Sequence, residues 1–196
     1  RAALLLYAAP FFVALGTHLF VPGDRLTRGK LVGLLAAFVG LLLAFVDRLT
    51  VPDMRGLTGD LLCLLGALMW GSTTVVIKAS ARRRAPPEAT LLYQLAVSVP
   101  VLAALSYAFG EPGVFAPTPL IWASLAFQTV VIAWASYLAW FWLVARHRAT
   151  TMHAFTFLTP LFGVLAGALL LGEPVGPAAI ASLALIAAGI VLVNRG

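Results

Sequence analysis

Charge is what this sequence has least of. Asp, Glu, Lys and Arg make up 10% of its 196 residues, where a soluble domain carries about 25%; that is too little polar surface to wrap a water-soluble core. Cysteine is nearly missing as well. Cys63 stands alone, which excludes an intrachain disulfide and a cysteine metal cluster. No Asp or Glu falls in the middle of an apolar run, so the carboxylate usual in a proton relay is not in this stretch of chain. The histidines, His18, His147 and His153, are scattered, and none stands at metal-ligand spacing from an acid or the cysteine. No metal or other cofactor is therefore expected. Alternation of apolar and polar residues is missing too, which excludes a membrane β-barrel.

Hydrophobic residues fill the space, at 62% against about 45–50% in soluble domains. Uncharged apolar runs lie at residues 2–21, 31–46, 61–77, 89–110, 120–145, 149–172 and 178–194, here segments A to G. Most reach the roughly 17–25 residues that a spanning helix needs. Segment B is short, but Lys30 and Arg48 at its ends would snorkel to the headgroups and complete the span. The expected fold class is an all-α polytopic membrane protein with seven transmembrane helices.

A net charge of +6 would suit nucleic acid, but the basic residues follow the membrane, and no nucleic-acid partner is expected. If the segments alternate direction, the A/B, C/D and E/F connections and the C-terminus share one face. That face takes Arg25, Arg28, Lys30, Lys78, Arg82, Arg83, Arg84, Arg146, Arg148 and Arg195; the other keeps Arg1, Arg48 and Arg55. The positive-inside rule makes the richer face, and with it the C-terminus, cytoplasmic. Arg82-Arg83-Arg84 reads as the topological anchor, with contact to anionic membrane lipid as a secondary role.

A proline-centred pattern occurs twice. Ala9-Pro10-Phe11-Phe12 leads through Leu15 and Leu19 to Gly23-Asp24 and Gly40; Thr159-Pro160-Leu161-Phe162 leads through Leu165 and Leu169 to Gly172-Glu173 and Gly189. The copies keep register apart from one extra residue near Pro22. Four segments separate them, so the second enters the membrane from the opposite face. Like elements in inverted orientation, each interrupted by proline, are the sequence sign of a secondary transporter. The polar stretch 47–60, with Pro52 and Gly56, reads as an outer-face linker between residues 1–46 and residues 61–196. Segments A and B match F and G, the last two of the five downstream. An upstream repeat of five helices would then lack its first three, and a chain that opens on Arg1 directly before segment A reads the same way.

Pro160 deprives the Thr156 carbonyl of its helical donor, and Pro10 does the same to Leu6. In hydrocarbon such groups need protein or water. At about 1.5 Å per residue both prolines fall near the midplane, where transporter sites form; a plain packing kink is the equal alternative. Thr156, Pro160, Gly163 and Gly167 share a face of F, as Ala3, Pro10, Ala14 and Thr17 do of A, and such small faces are expected to turn inward. Trp70 shares a stripe with Cys63, Gly66 and Thr74, which directs the indole inward, either to a solute or into packing. On segment E, Ser124, Gln128, Ala135 and Ala139 form one face, and Trp134, Tyr137 and Phe141 another. An intramembrane amide prefers protein or water, so Gln128 is the better pocket residue, with Trp134 at the margin and Tyr137 toward a neighbouring helix or lipid. The histidines are expected at the cytoplasmic boundary, hydrogen-bonded there, with a proton-linked or gating role as the alternative. Asp24 and Glu173 read as helix caps or loop anchors. Solute contact is thus expected at Trp70, Gln128, Trp134, Thr156, Pro160 and Pro10, with no catalytic residue.

The unit from Pro160-Leu161-Phe162 to Gly172-Glu173 with the helix of Gly189, the weaker Pro10 copy, and Gly66-Ala67-Leu68-Met69-Trp70-Gly71 carry a resemblance. Over essentially its whole length the chain resembles the drug/metabolite transporter superfamily and, within it, the EamA-like family. The resemblance implies ten helices in two inverted five-helix repeats, both termini cytoplasmic, in a bacterial inner (plasma) membrane. Residues 1–46 would hold the last two helices of the first repeat, and 61–196 the whole of the second. The chain departs from the pattern in lacking the first three helices and in reading Pro22-Gly23-Asp24 where a Gly-Glu pair is usual. The implied function is a secondary carrier, not an enzyme, that moves small organic metabolites such as amino acids or drugs by alternating access, commonly outward. Two other classes stay open: an integral-membrane enzyme acting on lipid or an isoprenoid carrier, against which the scattered histidines count, and a noncatalytic assembly subunit. The partners are a small-molecule solute and membrane lipids. A homodimer would be the other way to cover surfaces that the missing helices leave facing lipid.

The orientation has a direct check. Arg83→Cys and Arg146→Cys are expected to label only from the cytoplasm and Asp53→Cys only from outside. Reversed labelling rejects the orientation, and labelling from both sides means dual topology.

Overall fold

The computed structural model describes residues 2–45, 54–80, 85–113, 118–172 and 176–196, and among them every regular element is a helix. In order these are α1 (Ala2–Leu6), α2 (Ala9–Phe20), α3 (Arg28–Ala44), α4 (Met54–Ala79), α5 (Pro87–Ala108), α6 (Pro119–Phe127), a π-helical stretch (Gln128–Ser136), α7 (Tyr137–Arg146), α8 (Ala149–Phe155), a 3-10 turn (Thr156–Leu158), α9 (Thr159–Leu171) and α10 (Pro177–Arg195). Local chemistry sets several of the ends. The Thr27 and Thr118 hydroxyls accept the Lys30 and Ile121 amides at the starts of α3 and α6, as N-caps do. Gly172 ends α9 at φ 68° and donates its N–H to Ala168, a left-handed cap that costs glycine nothing.

Among the described residues, five stretches are long and apolar enough to cross a membrane: Gly56–Ala79, Pro87–Ala108, Pro119–Arg146, Ala149–Leu171 and Pro177–Arg195. They correspond to segments C to G, and they make this a multi-pass helical membrane protein. Segments A and B come out shorter than expected. Leu4–Phe20 is an apolar helix below spanning length, broken by a turn at Tyr7 and Ala8, and α3 has 17 residues. The expected linker also changes. Met54 to Asp60 belong to α4, because the polar residues end the apolar run without ending the helix. Residues 46–53, Arg82-Arg83-Arg84 and Glu173 lie outside the described residues.

The chain forms two compact units, 1–81 with 147–196, and 82–146. In the second, α5 packs on α7, and α6 runs through the π-helical stretch into α7. The Arg146 guanidinium lies 4.0 Å above the Trp142 ring, a cation–π contact that holds the charge at the helix end.

In the first unit, α3 and α10 make the closest packing. A methyl group added to Gly33 would lie 2.5 Å from the Gly189 carbonyl oxygen, and one added to Gly189 would lie 2.5 Å from that of Gly33; Gly40 likewise meets the Ser182 carbonyl at 3.0 Å. Only small residues let two backbones approach this far. The numbers of Gly33 and Ser182 differ by the same amount as those of Gly40 and Gly189, so the two contacts are reciprocal. Around this crossing lie Leu34, Ala37, Leu41, Ile186, Ile190 and Val193, joined by Leu4, Ala14, Ala154 and Phe157. Phe38 completes the cluster with edge-on contacts to Phe11 at 5.5 Å and Phe157 at 6.4 Å.

Gly189→Ala is expected to lower the melting temperature of the purified protein in detergent, through overpacking of about 1–3 kcal/mol. Gly163→Ala, where an added methyl meets nothing within 4 Å, is expected to be neutral or slightly stabilising, because alanine is the better helix former. Equal effects of the two substitutions would reject the close α3–α10 contact.

Candidate functional site

The two prolines interrupt their helices in the same manner. Pro10 is the second residue of α2 and Pro160 the second of α9, so each opens a new helix, where a missing N–H costs nothing. The turn before each is tightened. Tyr7 and Ala8 donate their amides to Leu4 and Leu5 at 3.1 and 3.0 Å, while Thr156–Leu158 form the 3-10 turn. The Thr156 carbonyl, expected to be left open, is not: it accepts the Thr159 amide. The kink in each segment is therefore a one-turn break, with three-residue hydrogen bonds to the Leu4, Leu5 and Thr156 carbonyls.

The breaks face one another. The Tyr7 ring stacks on Phe157 with centroids 6.1 Å apart and planes at 24°, and the Tyr7 hydroxyl pairs with the Thr159 side chain. Phe157 is fully buried. Helix α4 passes beside this junction, since Gly71 lies against the Ala9 carbonyl, Phe12 and Val13. The next residue along, Trp70, is half-buried, and its indole lies 5.2 Å from the His153 imidazole at 54°.

His153, expected to be hydrogen-bonded at the cytoplasmic boundary, is fully buried among helices, and its Nε2 is 2.9 Å from the Thr74 hydroxyl. Its carbonyl accepts the Thr156 hydroxyl at 2.7 Å, so the second break begins just after this residue. One turn earlier on α8, the Thr150 hydroxyl is 3.2 Å from that of Thr17, and both residues are buried. The Thr150 amide donates to Asp24 Oδ2 at 3.2 Å. Asp24 Oδ1 accepts Lys30 Nζ at 3.0 Å, and Lys30 Nζ also donates to the Arg25 carbonyl at 2.9 Å. Asp24 is thus an anchor, as expected, but it caps the first turn of α8, a helix far away in sequence. His18 stays exposed, with Nδ1 accepting the Leu26 amide at 3.3 Å.

Of the residues singled out by sequence, Trp70, Thr156, Pro10 and Pro160 belong to this first unit. Pro10, Ala14 and Thr17 are buried, as their small face implies. The matching face of α9 is not: Gly163 is exposed. Gln128 and Trp134 belong to the second unit, in the π-helical stretch, where Gln128 Nε2 donates to Ser124 Oγ at 3.3 Å. Bonding from i to i+5 widens the turn, so the two faces drawn for segment E at α-helical spacing do not carry through it. Sequence reasoning missed Tyr7 and Phe157 as partners, and it missed the pairing of His153 with Thr74. The available signal was Thr150 and His153, three apart and so on one face of a short helix. Two apolar grooves, of about 220 and 580 Å³, are lined by residues such as Leu161, Leu165 and Leu183 or Leu15, Leu68 and Val75, and by none of the proposed solute contacts.

Residues 57–195 match the EamA-like transporter family. An uncharacterized transporter of Archaeoglobus fulgidus is 25% identical over 99% of this chain and 67% of its own length. A probable amino-acid metabolite efflux pump of Salmonella typhimurium is 26% identical over 96% of this chain and 65% of its own. One crystal structure superposes with a TM-score of 0.84 at 21% identity, covering 98% of this chain and 67% of that one, which shows a shared fold. The chain spans about two thirds of the length of these relatives. The family and the relatives' names describe transporters, not enzymes. With most of its residues under the family model and its proline-broken helices in a multi-pass bundle, the chain belongs to the EamA-like transporter family.

Proposed function

We propose that the protein is a secondary carrier that exports small organic metabolites, amino acids or drugs among them, by alternating access. The observation that carries this reading is the junction of the two proline breaks through Tyr7, Phe157 and Thr159, with Trp70 beside it. A continuous helix moves as a rod, whereas a break with few hydrogen bonds lets its halves reorient, and transporter sites form at such discontinuities. The Trp70 indole offers a flat apolar surface and the Thr156 side chain a polar group, a pairing suited to amphipathic solutes of modest size. The Salmonella typhimurium relative, named as an efflux pump, supports the outward direction.

In the same reading, residues 1–46 end one repeat and 61–196 form a second in inverted orientation. The reciprocal glycine contacts of α3 and α10 support this. The C-terminus is cytoplasmic and the membrane a bacterial inner membrane, from the distribution of Lys and Arg. Gln128 and Trp134 are also proposed to contact solute. Their support is the π-helical stretch that holds them, an element frequent at functional sites.

The test is transport by the protein at its natural length in proteoliposomes with a panel of radiolabelled amino acids. Trp70→Ala is expected to raise the half-saturation concentration about 10-fold, equivalent to about 1.4 kcal/mol of lost contact, with folding retained. Gln128→Ala is expected to act in the same direction and Tyr137→Phe to matter less. Pro160→Ala is expected to slow turnover instead, because restoring the helical bond stiffens an element that must move. Wild-type affinity in well-folded Trp70→Ala and Gln128→Ala variants rejects this site.

A further inference from the structure

Buried polar groups in the first unit gather along α8. Apart from Ser182, whose hydroxyl donates within its own helix to Ala178, the buried polar residues among those described are Thr17, Asp24, Lys30, Thr74, Thr150 and His153. Together they make a polar line. At the first turn of α8, Thr150 is held twice: its hydroxyl lies 3.2 Å from that of Thr17 on α2, and its amide donates to Asp24 Oδ2 at 3.2 Å. Asp24 Oδ1 accepts Lys30 Nζ at 3.0 Å. One turn further along α8, His153 meets Thr74 of α4 at 2.9 Å.

One charge at this end has no partner of that kind. Lys78 is half-buried, and among the described residues its Nζ makes neither a hydrogen bond nor an ion pair. It stands four residues after Thr74, on the same face of α4. Helix α4 runs alongside α2 in the same direction, since Gly71 lies against Val13 and Gly16 against Val75. Segment A runs against segment F, since Tyr7 meets Phe157 and Thr17 meets Thr150. One turn beyond Thr74 on α4 is therefore one turn back from His153 on α8, which brings Lys78 level with Thr150 and Asp24. The charge of Asp24 reaches it there.

We propose that Asp24 is a latch with two positions: Oδ2 caps α8 while α2 and α8 are closed at Thr17 and Thr150, and passes to Lys78 Nζ when α8 moves away. Asp24 itself stays with the α2–α3 connection, because Lys30 of α3 holds its other oxygen. Without the Thr150 amide, Oδ2 would be a shielded carboxylate oxygen lacking a donor, and such a group is tolerated only when paired and hydrogen-bonded. Lys78 supplies the donor. It belongs to α4, which the close contact of Gly16 with Val75 keeps beside α2. The exchange trades a charged hydrogen bond at a helix N-terminus for one to an ammonium, so neither position leaves Oδ2 unsatisfied. Because the His153 carbonyl holds the Thr156 hydroxyl, movement of α8 is passed to the second proline break. The present structure has the latch in its first position. The inference rests on the proposed transport function for the place of the latch in a cycle, whereas the two positions are tested without solute.

The experiment has two arms on the protein at its natural length. In the first, in detergent and without solute, Ala14→Cys is the reporter, buried on α2 one turn from Thr17, with all other cysteines changed to Ser. The rate at which a water-soluble maleimide modifies it reads the parting of α2 from α8. Lys78→Gln is expected to slow modification about 10-fold, because the second position loses its donor, and Lys78→Arg to leave it near the parent rate. An unchanged rate in Lys78→Gln overturns the latch and makes Lys78 an interfacial cation held by water. In an Asp24→Asn background the Lys78→Gln change is expected to have no effect; a 10-fold effect that persists there overturns Asp24 as the partner. Where Asp24→Asn does not fold, Lys78→Arg decides, and modification as slow as in Lys78→Gln overturns the ionic second position. In the second arm, proteoliposomes with radiolabelled amino acids, Lys78→Gln is expected to lower turnover about 10-fold at an unchanged half-saturation concentration. Wild-type turnover combined with slowed modification overturns the place of the latch in the cycle. If the parent protein moves no amino acid, the proposed solute class is what fails, and the maleimide arm alone decides the latch.

Discussion

A peptide carbonyl that loses its helical partner inside hydrocarbon must find another, because no water is present to supply one. Two prolines impose that requirement here, and the turn before each is tightened in the same manner; at Pro160 the freed Thr156 carbonyl is taken by the Thr159 amide. The turn before each proline shortens its hydrogen bonds from four residues to three, and the proline then starts a fresh helix. What results is a break, and breaks expose backbone that a neighbour has to cover. Tyr7 and Phe157 come from the two interrupted turns and cover one another. The junction of segments A and F is therefore a consequence of where the prolines stand; Trp70 is placed beside it by the passage of α4 and His153 by the end of α8.

A second requirement acts on charge. Asp24 and Lys30 are both almost fully buried, and isolated burial of either ion would cost several kcal/mol. They are held in one ion pair, and their remaining capacity goes to the Thr150 amide and the Arg25 carbonyl. Removing one partner from such a group leaves an uncompensated buried charge, at about 3–5 kcal/mol. The pair thus ties the α2–α3 connection to the start of α8. An N-terminal amide of α8 is a suitable place for a carboxylate, since the helix presents unsatisfied donors and a positive dipole end there. The charge of Asp24 also reaches Lys78 on α4, so this end of the first unit is held by electrostatics where the middle is held by aromatic and glycine contacts.

Much of this was legible in the sequence, for a physical reason. Helices, their ends and the two breaks are set by nearest neighbours along the chain: by length of apolar runs, by Thr27 and Thr118 at N-caps, by Gly172 at a C-cap and by proline chemistry. The inward direction of Trp70 came from helical phase alone. The pairing of His153 with Thr74, and of Asp24 with the amide of Thr150, was not legible, because each partner lies on another helix with no local signal to name it. The π-helical stretch was equally hidden. It contains no proline or glycine, so nothing in residues 128–136 announces a change of turn, and a phase argument drawn across it loses its basis.

The register that aligns Pro10 with Pro160 also sets Ala3 where the second copy has His153. The packing parts of the two copies correspond, since each of α3 and α10 offers a glycine to the other's backbone in reciprocal contacts. The polar parts do not. Thr17 aligns with Gly167, and no histidine stands in the first copy at the place of the second copy's imidazole. Close helix packing constrains both partners alike, because a side chain added to either glycine meets the other's backbone, so the small residues have to persist in pairs. A buried titratable side chain is under no such reciprocal constraint. It needs partners for its own polar atoms, and the Thr74 hydroxyl on α4 is the one at His153 Nε2. The polar line draws on both stretches of chain, Thr17, Asp24 and Lys30 from the first and Thr150 and His153 from the second, so it ties them together without following the register that aligns their prolines.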